Sequence, residues 1–396
     1  MENTTAKKLK ILLVLIEPPL PFGNAGSRWF HVLRQQLRQS GHHVHTLVTS
    51  GVPADLQKAK DRFTDGDMEL FPFQKARGFW DKIKNFSKPH SYKFSDEFHK
   101  AYEKALLHDF DIIHVEQTWG GWVSWKQPKK TLLNVHYLQS IDLGQVTPKS
   151  FKEKILFQRY FATEKKILSH YPFVRTCTPR LEKRIQKWGK KSFVETVPFG
   201  IDSSLYPYIS DQERSTENMT VSLIGNMGWY PSVSAAERLI TGVWPFIKKE
   251  LPKARCQIVG WKAREALKDY LHLQDIEILE NVPDIQPYFN NAGVLVYPPQ
   301  RGSGMKIKVQ EAFCYGIPVV TTAEGVEGLP VKNGTHCYVA EDDQELAQYA
   351  VKVLQDHDKA QSLRKSARHL VETHCSPKDT VNQILKLYAQ ILDQAQ

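Results

Sequence analysis

Short apolar runs that lack polar alternate positions recur along this chain, and they constrain its fold more than any other feature. Ile11-Leu-Leu-Val-Leu-Ile16 is the first. A strand with one solvated face alternates apolar and polar residues. A run that is apolar throughout needs cover on both faces, the condition of a parallel sheet between helix layers. Glu17-Pro-Pro-Leu-Pro-Phe-Gly-Asn-Ala-Gly26 follows and cannot be helical. Trp29, Phe30, Val32, Leu33 and Leu37 then fall at helical spacing, with Gly41 as a stop, and residues 44–48 return as a strand. This βαβ unit predicts a parallel sheet.

The alternation continues. Residues 111–115 and 131–135 read as strands separated by a loop, Trp119-Gly-Gly-Trp122, and residues 151–169 are compatible with a helix. The turn-rich Pro198-Phe-Gly-Ile-Asp202 leads into the polar stretch 210–218, where a domain boundary is placed. The pattern then restarts with a strand at 220–224, Gly225 and a helix. That helix is expected to start at Ser234, because Ser234-Ala-Ala-Glu237 has capping-box spacing. Further strands are read at 256–259, 277–279, 294–297 and 319–322. The expected fold class is α/β, with two Rossmann-like doubly wound domains facing across a cleft. The expected divisions are 1–205, 206–375 and a terminal helix, 376–396, returning toward the first domain. Ligands are expected beyond the carboxyl ends of the strands.

Composition narrows the function. At roughly 150 residues per domain, 396 residues suit two or three domains without disulfide or metal staples. Fifty-three Lys and Arg against 43 Asp and Glu leave a net charge of +10, which favours anionic partners. That excess is spread along the chain and no nucleic-acid module is visible, so no nucleic-acid partner is expected. The apolar run after Lys7, Lys8 and Lys10 is too short for a signal peptide, and no segment approaches the ~18 residues of a membrane span. Five scattered cysteines, without a CxxC pair, support neither a disulfide framework nor zinc and fit a reducing cytoplasm.

The chemistry concentrates in residues 297–320. A strand runs into a loop containing Gly302, Ser303, Gly304, Met305 and Lys306, then into a helix through Ile307, Lys308 and Glu311 that ends at Gly316. Loop glycines permit close backbone approach, and the helix start offers unpaired amides and a positive dipole end. Lys306 and Lys308 add charge, giving a site suited to a phosphate or diphosphate. Glu311 lies three residues beyond Lys308 on one helix face, where a carboxylate can accept both hydroxyls of a ribose.

These residues resemble the donor-binding region of the GT-B glycosyltransferases, in particular the large retaining family 4. Its pattern G-x-G-x-[RK]-x-K-x-x-EA-x-x-x-G-x-PVV-x-T, followed by G-x-EG, is matched by Gly302, Gly304, Lys306, Lys308, Glu311, Ala312, Gly316, Pro318, Val319, Val320, Thr322, Gly325, Glu327 and Gly328. The resemblance implies further donor contacts. Gly225 and Asn226 match the loop that meets the donor phosphates. Val282, in Asn281-Val-Pro-Asp284, matches the loop near the nucleobase. Gly23 and Gly26 match the glycine-rich loop after the first strand, with Ala25 where a glycine is common. His136 matches a position that often carries a histidine facing the transferred sugar. Lys308, Lys306, His136 and Glu311 are the implied catalytic set, and Arg301 is an assisting candidate. Many members carry a second acid eight residues before the glutamate; here that position is Ser303.

The resemblance implies a retaining transferase that moves a sugar from a nucleotide-diphosphate-sugar donor, a substrate, to a glycan, lipid-linked or small-molecule acceptor, with no cofactor and no metal. A nucleotide-sugar binder without turnover and a GT-B-like phosphorylase or epimerase are the alternatives. Asp65-Gly-Asp67 has the form of a metal-binding D-x-D but lacks its usual setting. His42, His43 and His45 read as surface and core residues, and Glu116 as a cleft-lining or packing residue. Finally, residues 71–94, from Phe71 to Phe94, interleave Phe73, Phe79, Trp80, Phe86 and Tyr92 with Lys75, Arg77, Lys82, Lys84, Lys88 and Lys93. Such a stretch can lie against an anionic membrane at its cytoplasmic face, or pack its aromatics inward.

Overall fold

The computed structural model describes residues 8–74, 78–144, 150–189, 192–210, 218–300 and 302–395. The chain divides into two compact units, Met1–Gly200 with Pro377–Gln396, and Ile201–Ser376. Each is built on a parallel sheet with helices, so the expected α/β class in two domains holds.

In the first unit the strands are β1 (Lys10–Leu15), β2 (His43–Ser50), β3 (Met68–Pro72), β4 (Ile112–Glu116), β5 (Thr131–Val135), β6 (Phe173–Thr176) and β7 (Phe193–Thr196). Among the described residues they form one sheet in the order β3-β2-β1-β4-β5-β6-β7. Ile11 pairs with Val44 on one side and Ile112 on the other. β1 is buried from its second residue onward, as its unbroken apolar run requires. The helix Ala25–Gln39 buries Trp29, Phe30, Val32, Leu33 and Leu37, and the Asn24 side chain caps it at Ser27 N.

The last helix, Pro377–Ala395, packs in this first unit, on the helix Ala25–Gln39 and on β4 and β5. It buries Val381, Ile384, Leu387, Tyr388 and Ile391, a stripe of helical period. The Tyr388 hydroxyl meets His114 Nδ1 at 2.5 Å.

The second unit contains β8 (Thr220–Ile224), β9 (Arg255–Gly260), β10 (Ile276–Glu280), β11 (Val294–Tyr297), β12 (Val319–Thr321) and β13 (Tyr338–Val339), in the order β10-β9-β8-β11-β12-β13. One expectation fails here. The helix after β8 spans Tyr230–Arg238, so it starts a turn before Ser234. Pro231 sits in the first turn, where its fixed φ suits a helix start and its missing N–H costs nothing. Ser234 is buried inside the helix, and its Oγ accepts from Gln300 N at 3.2 Å. Among the described residues no helix is long and apolar enough to cross a membrane. All five cysteines are buried and none is disulfide-bonded.

Candidate functional site

A doubly wound sheet holds ligands where its strand order reverses, at the carboxyl ends. In the second unit that point lies between β8 and β11. β8 runs into Gly225, and a Cβ on Gly260 would fall 1.6 Å from Gly225 O, so the two strand ends touch through backbone. Asn226 is exposed and accepts from Gly228 N at 2.8 Å. Beside it lies the half-exposed indole of Trp261, for which Gly228 leaves room: a Cβ there would fall 2.5 Å from the ring. Lys262 N donates to Asn281 Oδ1 at 3.4 Å, bringing the loop of half-buried Val282 to the same edge.

β11 runs into the glycine loop. Gly302 has a φ of +121°, and a Cβ there would fall 2.5 Å from Pro231. Both the backbone angle and the close approach require glycine. Ser303 and Met305 are buried, and Gly304 is half-buried. Lys306 is turned inward: its Nζ donates to Gly304 O at 2.5 Å and Gly302 O at 3.4 Å, and lies 3.9 Å from Glu324. It braces the loop from within. The helix Ile307–Tyr315 follows with no side chain capping its amino end, so its first turn presents amides and dipole to the loop. Lys308 Nζ lies 2.7 Å from Glu311 Oε2, and Tyr206 OH donates to Glu311 Oε1 at 3.3 Å. Glu311 is fully buried while Lys308 remains partly exposed, so the lysine covers the carboxylate. Arg301 lies outside the described residues. A cavity of about 640 Å³ lined by Arg255, Asp275 and Asn218 sits at the amino ends of β8 to β10, where the sheet offers no such loops.

In the first unit, Gly23 is exposed with a φ of +90°. Gly26 has a different use: a Cβ there would fall 2.7 Å from Glu17 Oε2, so the glycine admits that carboxylate. Burial pushes the Glu17 carboxyl up, against Asn24, Lys93 and His136. His136 follows β5 and its Nε2 bonds Glu116 Oε2. Burial alone would raise the Glu116 carboxyl, but His136 and His114 outweigh it and hold the group well below the usual carboxylate range. Glu164 pins the next turn, accepting from Gln139 N at 2.7 Å, Ser140 N at 3.1 Å and Ser140 Oγ at 2.5 Å. Asp65 and Asp67 are taken up by arginines: Arg34 bonds Asp65 at 2.9 Å and Arg38 bonds Asp67 at 2.6 Å.

A Glycosyltransferase Family 4 model matches residues 26–205, and a Glycosyl transferases group 1 model matches residues 218–356. The chain belongs to this glycosyltransferase family. Solved GT-B enzymes share the transferase's fold across nearly its full length. Sucrose-phosphate synthase from Thermosynechococcus elongatus is 17% identical with a TM-score of 0.71, covering 97% of this chain and 100% of its own. Anabaena HepE, solved with UDP and glucose, is 14% identical with a TM-score of 0.70, covering 96% and 100%. WaaG, a glycosyltransferase of lipopolysaccharide biosynthesis, is 16% identical with a TM-score of 0.64, covering 94% and 99%. No curated protein sequence matches the transferase.

The basic-aromatic segment is only partly outward. Phe94 is buried against Phe98, and Phe73 packs edge-on against Tyr92. Lys75, Arg77 and the side chains of Phe79, Trp80, Lys82 and Lys84 lie outside the described residues. Ile83 and Phe86 are exposed on the helix Phe79–Ser87, and Phe151 and Ile155 are exposed on the helix Phe151–Leu168. Arg159 joins the two helices, its guanidinium 4.6 Å over the Phe86 ring.

Glu164 supplies a pH prediction. Burial pushes its carboxyl up to about 8 from an ordinary 4.5, against the Ser140 and Gln139 donors. A folded-state value above the unfolded one gives stability that is complete below about 4.5 and is lost as pH rises through about 8. Denaturant midpoints of the wild type should therefore fall across that window, and Glu164→Gln should flatten the fall. Parallel profiles would show that Glu164 is ionised at no cost.

Proposed function

We propose that this transferase moves a sugar from a nucleotide diphosphate donor, bound in the second unit, to a sugar-containing or lipid-linked acceptor with retention of configuration. The observation that carries this reading is the glycine loop running into an uncapped helix at the strand-order reversal, with Glu311 one turn in under Lys308. HepE, of the same fold, is solved with UDP and glucose, which supports a nucleotide diphosphate as the ligand.

The chemistry asks for stabilisation of a departing diphosphate. First-turn amides, the helix dipole and Lys308 supply positive character where that charge develops, while Lys306 keeps the loop in shape. Glu311 holds the ribose hydroxyls once Lys308 swings from it to the phosphates. The exposed face of Trp261 offers a stacking surface for the base. His136 hydrogen-bonds a hydroxyl of the reacting sugars. Five buried thiols without a disulfide suit a reducing, cytoplasmic setting.

The test begins with a panel of nucleotide sugars and the rise in Tm each produces. For the most stabilising donor, Glu311→Ala should weaken binding by about 1.5–3 kcal/mol in calorimetry, the worth of a hydrogen bond to a charged acceptor. Unchanged affinity would remove Glu311 from the donor site.

The fixed positive groups make a metal unnecessary on this reading. Turnover should persist in excess chelator, and loss restored by magnesium or manganese would overturn that part.

For a lipid-linked acceptor, the exposed Ile83, Phe86, Phe151 and Ile155, flanked by Lys88, Lys152 and Lys154, form the surface that meets an anionic bilayer. The chain should co-sediment with anionic vesicles at low salt, and Phe86→Ser with Phe151→Ser should abolish this. Equal sedimentation of wild type and variant would dispose of the surface.

A further inference from the structure

Four side chains converge on the carboxylate of Glu116, which is wholly buried. Trp29 Nε1 donates to Oε1 at 3.2 Å, and His114 Nε2 lies 3.2 Å from the same oxygen. Asn134 Nδ2 donates to Oε2 at 2.5 Å, and His136 Nε2 bonds that oxygen as well. An ionised carboxylate only accepts, so every nitrogen facing it must carry hydrogen. His136, which hydrogen-bonds it, is thereby held as Nε2–H. His114 Nδ1 meets the Tyr388 hydroxyl from the terminal helix at 2.5 Å. For His136, Nδ1 is the ring nitrogen left to address a ligand.

His136 also feels the buried carboxyl of Glu17. Its ring is walled by Phe30 and Phe199, with centroids 5.7 Å and 4.7 Å away, and its carbonyl accepts from Cys177 Sγ at 3.2 Å. The side chain keeps 11% of its surface exposed, whereas His114 and Glu116 keep none. Arg175, buried and stacked over Trp29 and Phe199 at 4.9 Å and 5.2 Å, lies within electrostatic reach of Glu116, whose charge favours its guanidinium against burial.

We propose that Glu116 is a positioning residue of the transfer reaction: it fixes the tautomer and the ring plane of His136 so that Nδ1 works on the sugars, and Tyr388 anchors it through His114. This rests on the reading that His136 contacts a reacting sugar. Glu116 itself touches no substrate. Its action resembles that of any carboxylate that orients an imidazole from behind, where a wrongly set tautomer is costly although the ring is present.

The test uses the full chain labelled with nitrogen-15 at histidine. Long-range proton–nitrogen correlations of the free protein should give His136 as the Nε2–H form, with a low-field Nε2 proton that His136→Asn removes. In Glu116→Gln, no orientation of an amide accepts from Trp29, Asn134 and His136 together, so that signal should be lost. Glu116→Asp keeps the buried charge beside Arg175 but is one methylene shorter. It should fold where the amide variant fails, and lose the same signal. With the best donor of the thermal panel, either variant should lose roughly tenfold or more in kcat at little change in donor KM, as expected when an imidazole is misset but the donor site is intact. A folded Glu116→Asp with the wild-type His136 signal and wild-type kcat would overturn the proposal. So would His136 found as Nδ1–H in the free wild type, whatever the donor. A chain that turns over no nucleotide sugar would instead overturn the reading of the preceding section, since the tautomer is measured without one.

Discussion

The second unit depends on one packing constraint: the backbone must be approached closely where β8, β9 and β11 end. Gly225 and Gly260 meet backbone to backbone with no space for a Cβ, and Gly302 leaves room for the Pro231 ring. These contacts draw the loops after β8 and β11 together at the strand-order reversal, so the amino end of the helix Ile307–Tyr315 faces the gap rather than solvent at large. Lys306 then acts on the loop itself, its ammonium gathering two carbonyls that would otherwise point apart. Lys308 is left as the partly exposed cation, with Glu311 beneath it.

The first unit solves a different problem, that of keeping charge under cover. Glu116, Arg175 and His114 are fully buried: Glu116 accepts from Trp29, Asn134 and His136, Arg175 donates to the Val197 and Pro198 carbonyls, and His114 meets the Tyr388 hydroxyl. Burying such groups is expensive unless every donor and acceptor is satisfied. The consequence is a rigid strand edge from which His136 projects. A helix end carrying loose side chains could bind anions equally well but could not hold one imidazole edge so closely.

Much of this was legible in the residues. β1, β4, β5, β8, β9, β11 and β12 are mostly apolar runs, the mark that two-sided burial leaves where it takes in no charge. β3, β6 and β7 were not read, because Glu69, Arg175 and Glu195 interrupt their short runs and a charge ordinarily marks a surface. In β6 that inference inverts, since Arg175 is wholly buried with its donors on Val197 and Pro198 carbonyls. The glycine and lysine spacing of 302–311 marks a glycine loop running into a helix, but not which lysine faces inward, for that follows from three-dimensional closure of the loop. Tyr206 on Glu311, and Glu116 behind His136, were hidden for the same reason: each is brought to its partner by the fold, from 105 and 20 positions away.

The chain's last helix completes its first unit, which sets an order on manufacture. A polypeptide leaves the ribosome from its amino end, and the second unit is one uninterrupted stretch. The first is not: its core lacks Val381, Ile384, Leu387, Tyr388 and Ile391 until the helix Pro377–Ala395 has been made. At typical translation speeds the intervening stretch takes roughly ten to thirty-five seconds to make. Throughout that interval a nascent first unit exposes the groove beside Ala25–Gln39, and His114 waits for its phenol. The half of the protein made first is therefore the half finished last.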